Sequence, residues 1–159
     1  ADIMQHLQGS GIRVCVDARQ EALMSTLVYH PFLIKPNNYE LGEIFGVTLS
    51  TKEDVILYAK KLQEMGAANV LVSMAGDGAV LVAEDGSTYK SEAPEGKVKN
   101  SVGAGDSMVA GFLYGYLKSG IYEDAFYYGV CTGSASAFSE NLATREEVDT
   151  LLRNIKNRA

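Results

Sequence analysis

One carboxylate follows a Gly-Ala-Gly turn in the segment Asn100-Ser101-Val102-Gly103-Ala104-Gly105-Asp106-Ser107-Met108, where an apolar helical pattern begins. The unpaired N–H groups of a first helical turn attract anions, and the macrodipole adds to the attraction. Small residues at Gly103, Ala104 and Gly105 let a phosphate approach the backbone. An acid beside such a cradle suits phosphoryl transfer to an alcohol. Asp106 would accept the hydroxyl proton while the N–H groups stabilise the moving charge. The plainer alternative is a loop entering a helix, with Asp106 as a first-turn acid that complements the dipole. On these residues alone both readings stand.

Two more clusters carry polar groups at places where chemistry gathers. Lys35-Pro36-Asn37-Asn38-Tyr39-Glu40 lies where a short apolar run gives way to a helical pattern. Ligands of open α/β sheets collect at such carboxyl ends of strands. Asn37 could equally cap the helix while Lys35 and Glu40 stay solvated. Ser73-Met74-Ala75-Gly76-Asp77-Gly78 lies between two apolar runs, and its small residues also suit an ordinary hairpin turn. Asp17 closes a β-branched run and either starts the next turn or faces a ligand.

The segment from Asn100 to Met108 resembles the signature of the ribokinase-like sugar kinases, the PfkB family, in the form found in the 1-phosphofructokinase and tagatose-6-phosphate kinase branch. Ribokinases and adenosine kinases usually carry Thr at the position of Val102. The resemblance implies that Asp106 is the catalytic base and that Gly103, Ala104 and Gly105 form the anion hole. It implies that Asn37 and Glu40, in an Asn-x-x-Glu pattern, lie near Mg²⁺ and the phosphates of ATP, acting through water. A hard ion that keeps several waters needs no more than one such carboxylate. Lys35, in the Lys-Pro-Asn form, would reach the phosphates as a point charge. Ser73, Gly76 and Gly78 would line the nucleotide, with Ala75 at a position where the family's Ser-x-Gly-x-x-Gly pattern has Gly. Val98 and Ala135 would wall the adenine, although the small residues from Cys131 to Phe138 also read as helix–helix packing. Relatives place an acid at the position of Asp17.

The implied reaction is ATP-dependent phosphorylation of a sugar phosphate, with fructose 1-phosphate first and the C6 hydroxyl as acceptor. Tagatose 6-phosphate or fructose 6-phosphate, reacting at C1, is the alternative. An alternative of a different class is a non-catalytic nucleotide-binding fragment. Family members are about twice this length. The resemblance therefore implies that residues 1–159 are the C-terminal ATP-binding and catalytic half of a kinase domain, without the N-terminal half and its lid. A homodimer of the full-length protein is a further implied partner.

The elements that must position these groups follow from periodicity. Ile12 to Asp17, Phe32 to Lys35 and Asn69 to Met74 read as strands, as do Ala79 to Ala83 and Ser87 to Ser91 around an Asp85-Gly86 turn. A helical segment is expected near Ile3 to Leu7, and a helix over Asn38 to Phe45 that stops at Gly46. Ser50 and Glu53 suggest a capping box for a helix that carries Val55, Ile56, Ala59, Leu62 and Met65. Gly105 to Lys118 and Asp124 to Ser139 read as helices, with Gly111 and Gly115 allowing close packing. Thr144 and Glu147 suggest a second capping box, opening a helix with Val148, Leu151, Leu152 and Ile155 on one face. Alternating strands and helices predict an α/β fold, a mostly parallel sheet with helices on both faces and a late β-hairpin. With the resemblance, this becomes a partial ribokinase-like three-layer sandwich.

Composition limits the alternatives. With 20 acidic against 14 basic residues the chain carries a net charge of −6, which opposes general affinity for nucleic acid or anionic membranes. Hydrophobic residues make up 47% and charged residues 21%, a balance that supports a folded core. No apolar run approaches the length of a spanning helix, and no signal peptide pattern opens the sequence. Cys15 and Cys131 sit among apolar or small neighbours, and buried thiols rather than a disulfide are expected. These features together lead to a cytoplasmic expectation. No Cys/His spacing suggests zinc.

Overall fold

The computed structural model describes residues 2–156; Ala1 and residues 157–159 lie outside them. The described chain divides into two compact units, one of residues 1–74 and 79–90, the other of residues 75–78 and 91–159.

The first unit is built on a five-stranded sheet in which spatial order follows chain order. Its strands are β1 (Cys15–Val16), β2 (Leu33–Ile34), β3 (Asn69–Ser73), β4 (Ala79–Val82) and β5 (Thr88–Ser91). β1, β2 and β3 run parallel, and β3 pairs antiparallel with β4, so the sheet is mixed. The helices are α1 (Asp2–Leu7), α2 (Gln20–Met24), α3 (Asn38–Phe45) and α4 (Lys52–Glu64). Ile34, Val70, Val72, Val80 and Val82 join Leu41, Val55, Ala59 and Leu62 in one apolar cluster. The alternate residues Leu33, Leu71 and Leu81 are just as buried. A strand whose neighbours along the chain are all apolar is what a sheet buried on both faces requires.

Local chemistry sets the boundaries. β1 and β2 are shorter than their apolar runs, and Ile12 is 61% exposed rather than paired. α4 begins one residue later than Ser50 and Glu53 suggest. Thr51 is its N-cap, its Oγ1 accepting from the Asp54 N–H at 3.1 Å. The run Ser50-Thr51-Lys52-Glu53-Asp54 offers two overlapping boxes, and the later one turns Val55, Ala59 and Leu62 into the core. Glu53 instead pairs with Lys90 at 2.8 Å. Met65 is the C-cap of that helix and 46% exposed, not a core position. The short α2 and a 3-10 turn at Leu27–Tyr29 carry too few residues for a periodic signal. At the other hairpin the Ser87 N–H donates to Asp85 Oδ1 at 2.8 Å and Gly86 takes φ 86°, as the Asp-Gly pair predicts.

The second unit is helical: α5 (Ala104–Ser119), α6 (Tyr122–Phe138) and α7 (Arg145–Lys156). α5 and α6 pack through glycine. A Cβ on Gly111 would meet the Tyr128 carbonyl oxygen at 2.5 Å, and one on Gly115 would meet Ala125 Cα at 2.8 Å. Val148 and Leu152 of α7 bury against Cys131 and Ala135 of α6, with Leu151 and Ile155 partly buried beside them. The Thr144 N–H donates to Glu147 Oε2 at 2.7 Å, the capping box expected there, and this bond holds the Glu147 carboxyl below the usual range. Both cysteines are free thiols, Cys131 buried and Cys15 half-buried.

Candidate functional site

In the first unit, three parallel strands bring the expected polar residues to their carboxyl ends. Asn37 follows β2 and bridges in parallel register to Ser73 at the end of β3. The Ser73 N–H donates to the Pro36 carbonyl at 3.3 Å. Asn37 is the N-cap of α3. Its Oδ1 accepts from the Glu40 N–H at 2.8 Å, and its own N–H donates to Glu40 Oε2 at 3.0 Å. The helix-capping role open to Asn37 is thus present, with Glu40 as its reciprocal partner.

Charge at these strand ends is arranged in two ion pairs. Lys35, just past β2, is 7% exposed, and its Nζ lies 3.5 Å from Asp17 Oδ2. The ammonium therefore anchors Asp17 rather than extending outward as a free point charge, because a buried ammonium needs a counter-charge. Glu40 Oε1 takes Arg19 Nε at 2.9 Å. Sequence reasoning passed over Arg19, which lies in no motif. Only its position two residues after Asp17, past the end of β1, could have pointed to it.

The second unit holds the turn around Asp106. Asn100 Oδ1 accepts from the Val102 N–H at 3.0 Å, turning the chain toward Gly103. Gly103 is the N-cap of α5 with φ 78° and ψ −1°, a left-handed conformation that favours glycine. As a glycine, this N-cap offers no side chain to cap the helix. The Ala104 N–H donates to the Ser101 carbonyl at 3.2 Å, and the Ser107 N–H to the Gly103 carbonyl at 2.9 Å, so the Ala104 donor of the expected anion hole is spent within the turn. Asp106 sits in the first turn and is exposed. Gly133 of α6 lets the helices close here: its Cβ would stand 3.0 Å from the Ala104 carbonyl oxygen.

The remaining predicted residues divide. Gly78 has φ 92°, and a Cβ there would overlap the Ser91 carbonyl oxygen, so it is required by the backbone whatever it binds. Gly76 is open, with nothing within 4 Å of a Cβ. Val98 is 61% exposed on a loop tied to α6 by the Lys99 and Asn100 N–H groups, both donating to the Ala137 carbonyl. Ala135, expected against adenine, is 2% exposed and packed with Cys131, Val148 and Leu152. It offers no surface to a base. The packing role of that small-residue stretch prevails.

The donor set suits Mg²⁺ only through water. Among the described residues no three His, Cys, Asp or Glu side chains gather to hold an ion. Glu40 spends one lone pair of each oxygen on Arg19 and Asn37, and an ionised carboxylate has about four such sites in all. The first turn of α5 suits a phosphate of ATP. No described helix is long and apolar enough to cross a membrane.

Comparison with known proteins defines the class. The pattern of the pfkB family carbohydrate kinases matches residues 2–149, and the chain belongs to that family. It is 51% identical over 144 residues to the 1-phosphofructokinase of Bacillus subtilis, covering 91% of this chain and 47% of that protein. It is 34% identical over 139 residues to the D-tagatose-1-phosphate kinase of Bacillus licheniformis, covering 87% of this chain and 45% of that one. Among solved structures, phosphofructokinase-2 from Escherichia coli in complex with fructose-6-phosphate superposes with a TM-score of 0.86 at 28% identity, over 98% of this chain and 50% of that one. The chain thus spans about half the length of the curated relatives it matches. The α/β fold is ribokinase-like, with the mixed five-stranded sheet described above.

Proposed function

We propose that this chain is the nucleotide-binding and catalytic portion of an ATP-dependent sugar-phosphate kinase that phosphorylates the C6 hydroxyl of a ketohexose 1-phosphate, fructose 1-phosphate first. The observation that carries this reading is the exposed Asp106 in the first turn of α5, directly after a left-handed glycine N-cap at Gly103. A carboxylate in that place can take the proton of an attacking hydroxyl. In this reading the backbone N–H groups of the turn at residues 103–105, Gly105 foremost because the Ala104 N–H is bonded to the Ser101 carbonyl, would receive the charge on the transferring phosphoryl group. Asn37, Glu40 and Ser73 are assigned to the nucleotide, Glu40 through water on its Mg²⁺. Gly76, Gly78 and Val98 keep nucleotide contacts in this reading, while Lys35 acts through its charge and through Asp17. Bound Mg²⁺ supplies charge neutralisation and orientation of the phosphate oxygens.

The acceptor is inferred from relatives. The Bacillus licheniformis protein is named for a ketose 1-phosphate, and the identity to a 1-phosphofructokinase is higher still. Tagatose 6-phosphate or fructose 6-phosphate, reacting at C1, is the alternative acceptor with the same machinery. A reading from a different class is nucleotide binding without turnover.

The test is calorimetric titration of this chain with Mg-ATP, followed by Asp106→Asn in a full-length protein that carries it. Saturable ATP binding is expected. The substitution is expected to lower turnover on fructose 1-phosphate by about 10²- to 10⁴-fold, the span of general-base contributions, with ATP affinity kept. Retention of more than a small fraction of the rate would remove Asp106 as the base. Binding without turnover of any sugar phosphate by the full-length protein would favour the non-catalytic reading.

A further inference from the structure

We propose that Arg19 is the counter-ion of Glu40 that sets how much Mg²⁺ the nucleotide site needs, a positioning residue that competes with the hydrated cation for Glu40 Oε1. The inference rests on the Mg²⁺-nucleotide reading of Asn37 and Glu40 given above.

The two partners of this ion pair are held very differently. Glu40 is fixed: its backbone N–H is bound by Asn37 Oδ1, its Oε2 receives the Asn37 N–H, and its side chain is 15% exposed. Arg19 is 84% exposed and meets Glu40 at 2.9 Å through Nε. The backbone at Arg19 is itself steadied. It is the N-cap of α2 in an extended conformation, and the next residue, Gln20, donates from Nε2 to Glu43 Oε2 on α3 at 3.1 Å. The guanidinium is thus delivered to Glu40 by a clamped backbone but released by a solvated side chain. An arriving cation finds its carboxylate already in place. It must displace or share with a positive charge that departs easily.

The sign of the effect follows from charge. A cation approaching Glu40 meets a carboxylate already neutralised by Arg19, so removing that positive charge strengthens the attraction. An exposed ion pair corresponds to roughly a 1.5- to 5-fold change in an equilibrium constant. Lysine keeps the charge and should keep most of the effect, although it lacks the planar fork. Glutamine at position 40 preserves the capping box, because the box accepts Glu or Gln. It removes the charge on which Arg19 acts.

The experiment is calorimetric ATP binding to this chain across a Mg²⁺ series, for the unaltered protein and for Arg19→Gln, Arg19→Lys, Glu40→Gln and the Arg19→Gln/Glu40→Gln pair. Arg19→Gln is expected to lower the half-saturating Mg²⁺ concentration by about 1.5- to 5-fold. Arg19→Lys should stay near the unaltered chain, and Arg19→Gln should have no effect on top of Glu40→Gln. An unchanged or raised half-saturation in Arg19→Gln, with ATP still binding, would overturn the role of Arg19 alone; a rise would mean that Arg19 serves the phosphates directly. Absence of ATP binding to the unaltered chain at every Mg²⁺ concentration would overturn the nucleotide reading together with this one.

Discussion

Ala75 adopts φ 49°, inside the left-handed region, at the position where the family pattern has glycine. It is exposed, so replacing it removes no packing. Left-handed backbone costs an alanine about 1–2 kcal/mol through the crowding of Cβ and carbonyl oxygen. Ala75→Gly abolishes that cost but frees the unfolded chain by about 0.4–1 kcal/mol. The difference leaves a net stabilisation of roughly 0.5–1 kcal/mol, or about 1–4 °C in Tm for a chain of this size. The next residue supplies the opposite experiment. Gly76 is not at positive φ, and a Cβ there meets nothing within 4 Å. Gly76→Ala should stabilise by about 0.4–1 kcal/mol, wholly through the unfolded state. Urea unfolding followed by circular dichroism would measure both, with unchanged slopes showing that only stability has moved. A lower midpoint for Ala75→Gly would refute the assignment of strain to Ala75. A lower midpoint for Gly76→Ala would show that the turn closes on that residue.

Other predictions follow from caps and buried groups. Thr51→Ala should cost about 1 kcal/mol in the same unfolding assay, whereas Ser50→Ala should stay within about 0.5 kcal/mol; the reverse order would return the cap to Ser50. Burial pushes the Cys131 thiol up from 9.0 to about 12. Above pH 9 the unfolded chain therefore loses this proton while the folded chain keeps it. Stability should fall between about pH 9 and 12 by more in the native sequence than in Cys131→Ala, and equal slopes would show that the thiol is not desolvated.

Much of the framework was legible because it rests on local chemistry. Asn-x-x-Glu and Thr-x-x-Glu announce capping boxes at Asn37 and Thr144, since each box closes within one helical turn. The Asp85-Gly86 turn and the terminator Gly46 were legible because glycine readily takes the positive φ found at both positions. The Gly-Ala-Gly-Asp motif was legible as a turn opening a helix with a first-turn acid, whereas the left-handed N-cap at Gly103 came from the structure. Element ends were less legible where two signals overlapped, as at Ser50 and Thr51. Gln20 and Ala75 could not be read at all, because nothing in their side chains announces a left-handed backbone.

What the sequence by itself determined is the set of short-range features: strand and helix patterns, caps, the glycine turn, and the kinase family that those motifs signal. Tertiary structure decided which polar groups meet. Lys35 with Asp17 and Arg19 with Glu40 are joined across 18 and 21 residues by the parallel pairing of β1 with β2, a register that no local spacing encodes. It likewise decided that Ala135 faces α7 rather than a ligand, because the same small residue serves a helix contact or a binding wall equally well. Burial chooses between them only once the chain has closed on itself.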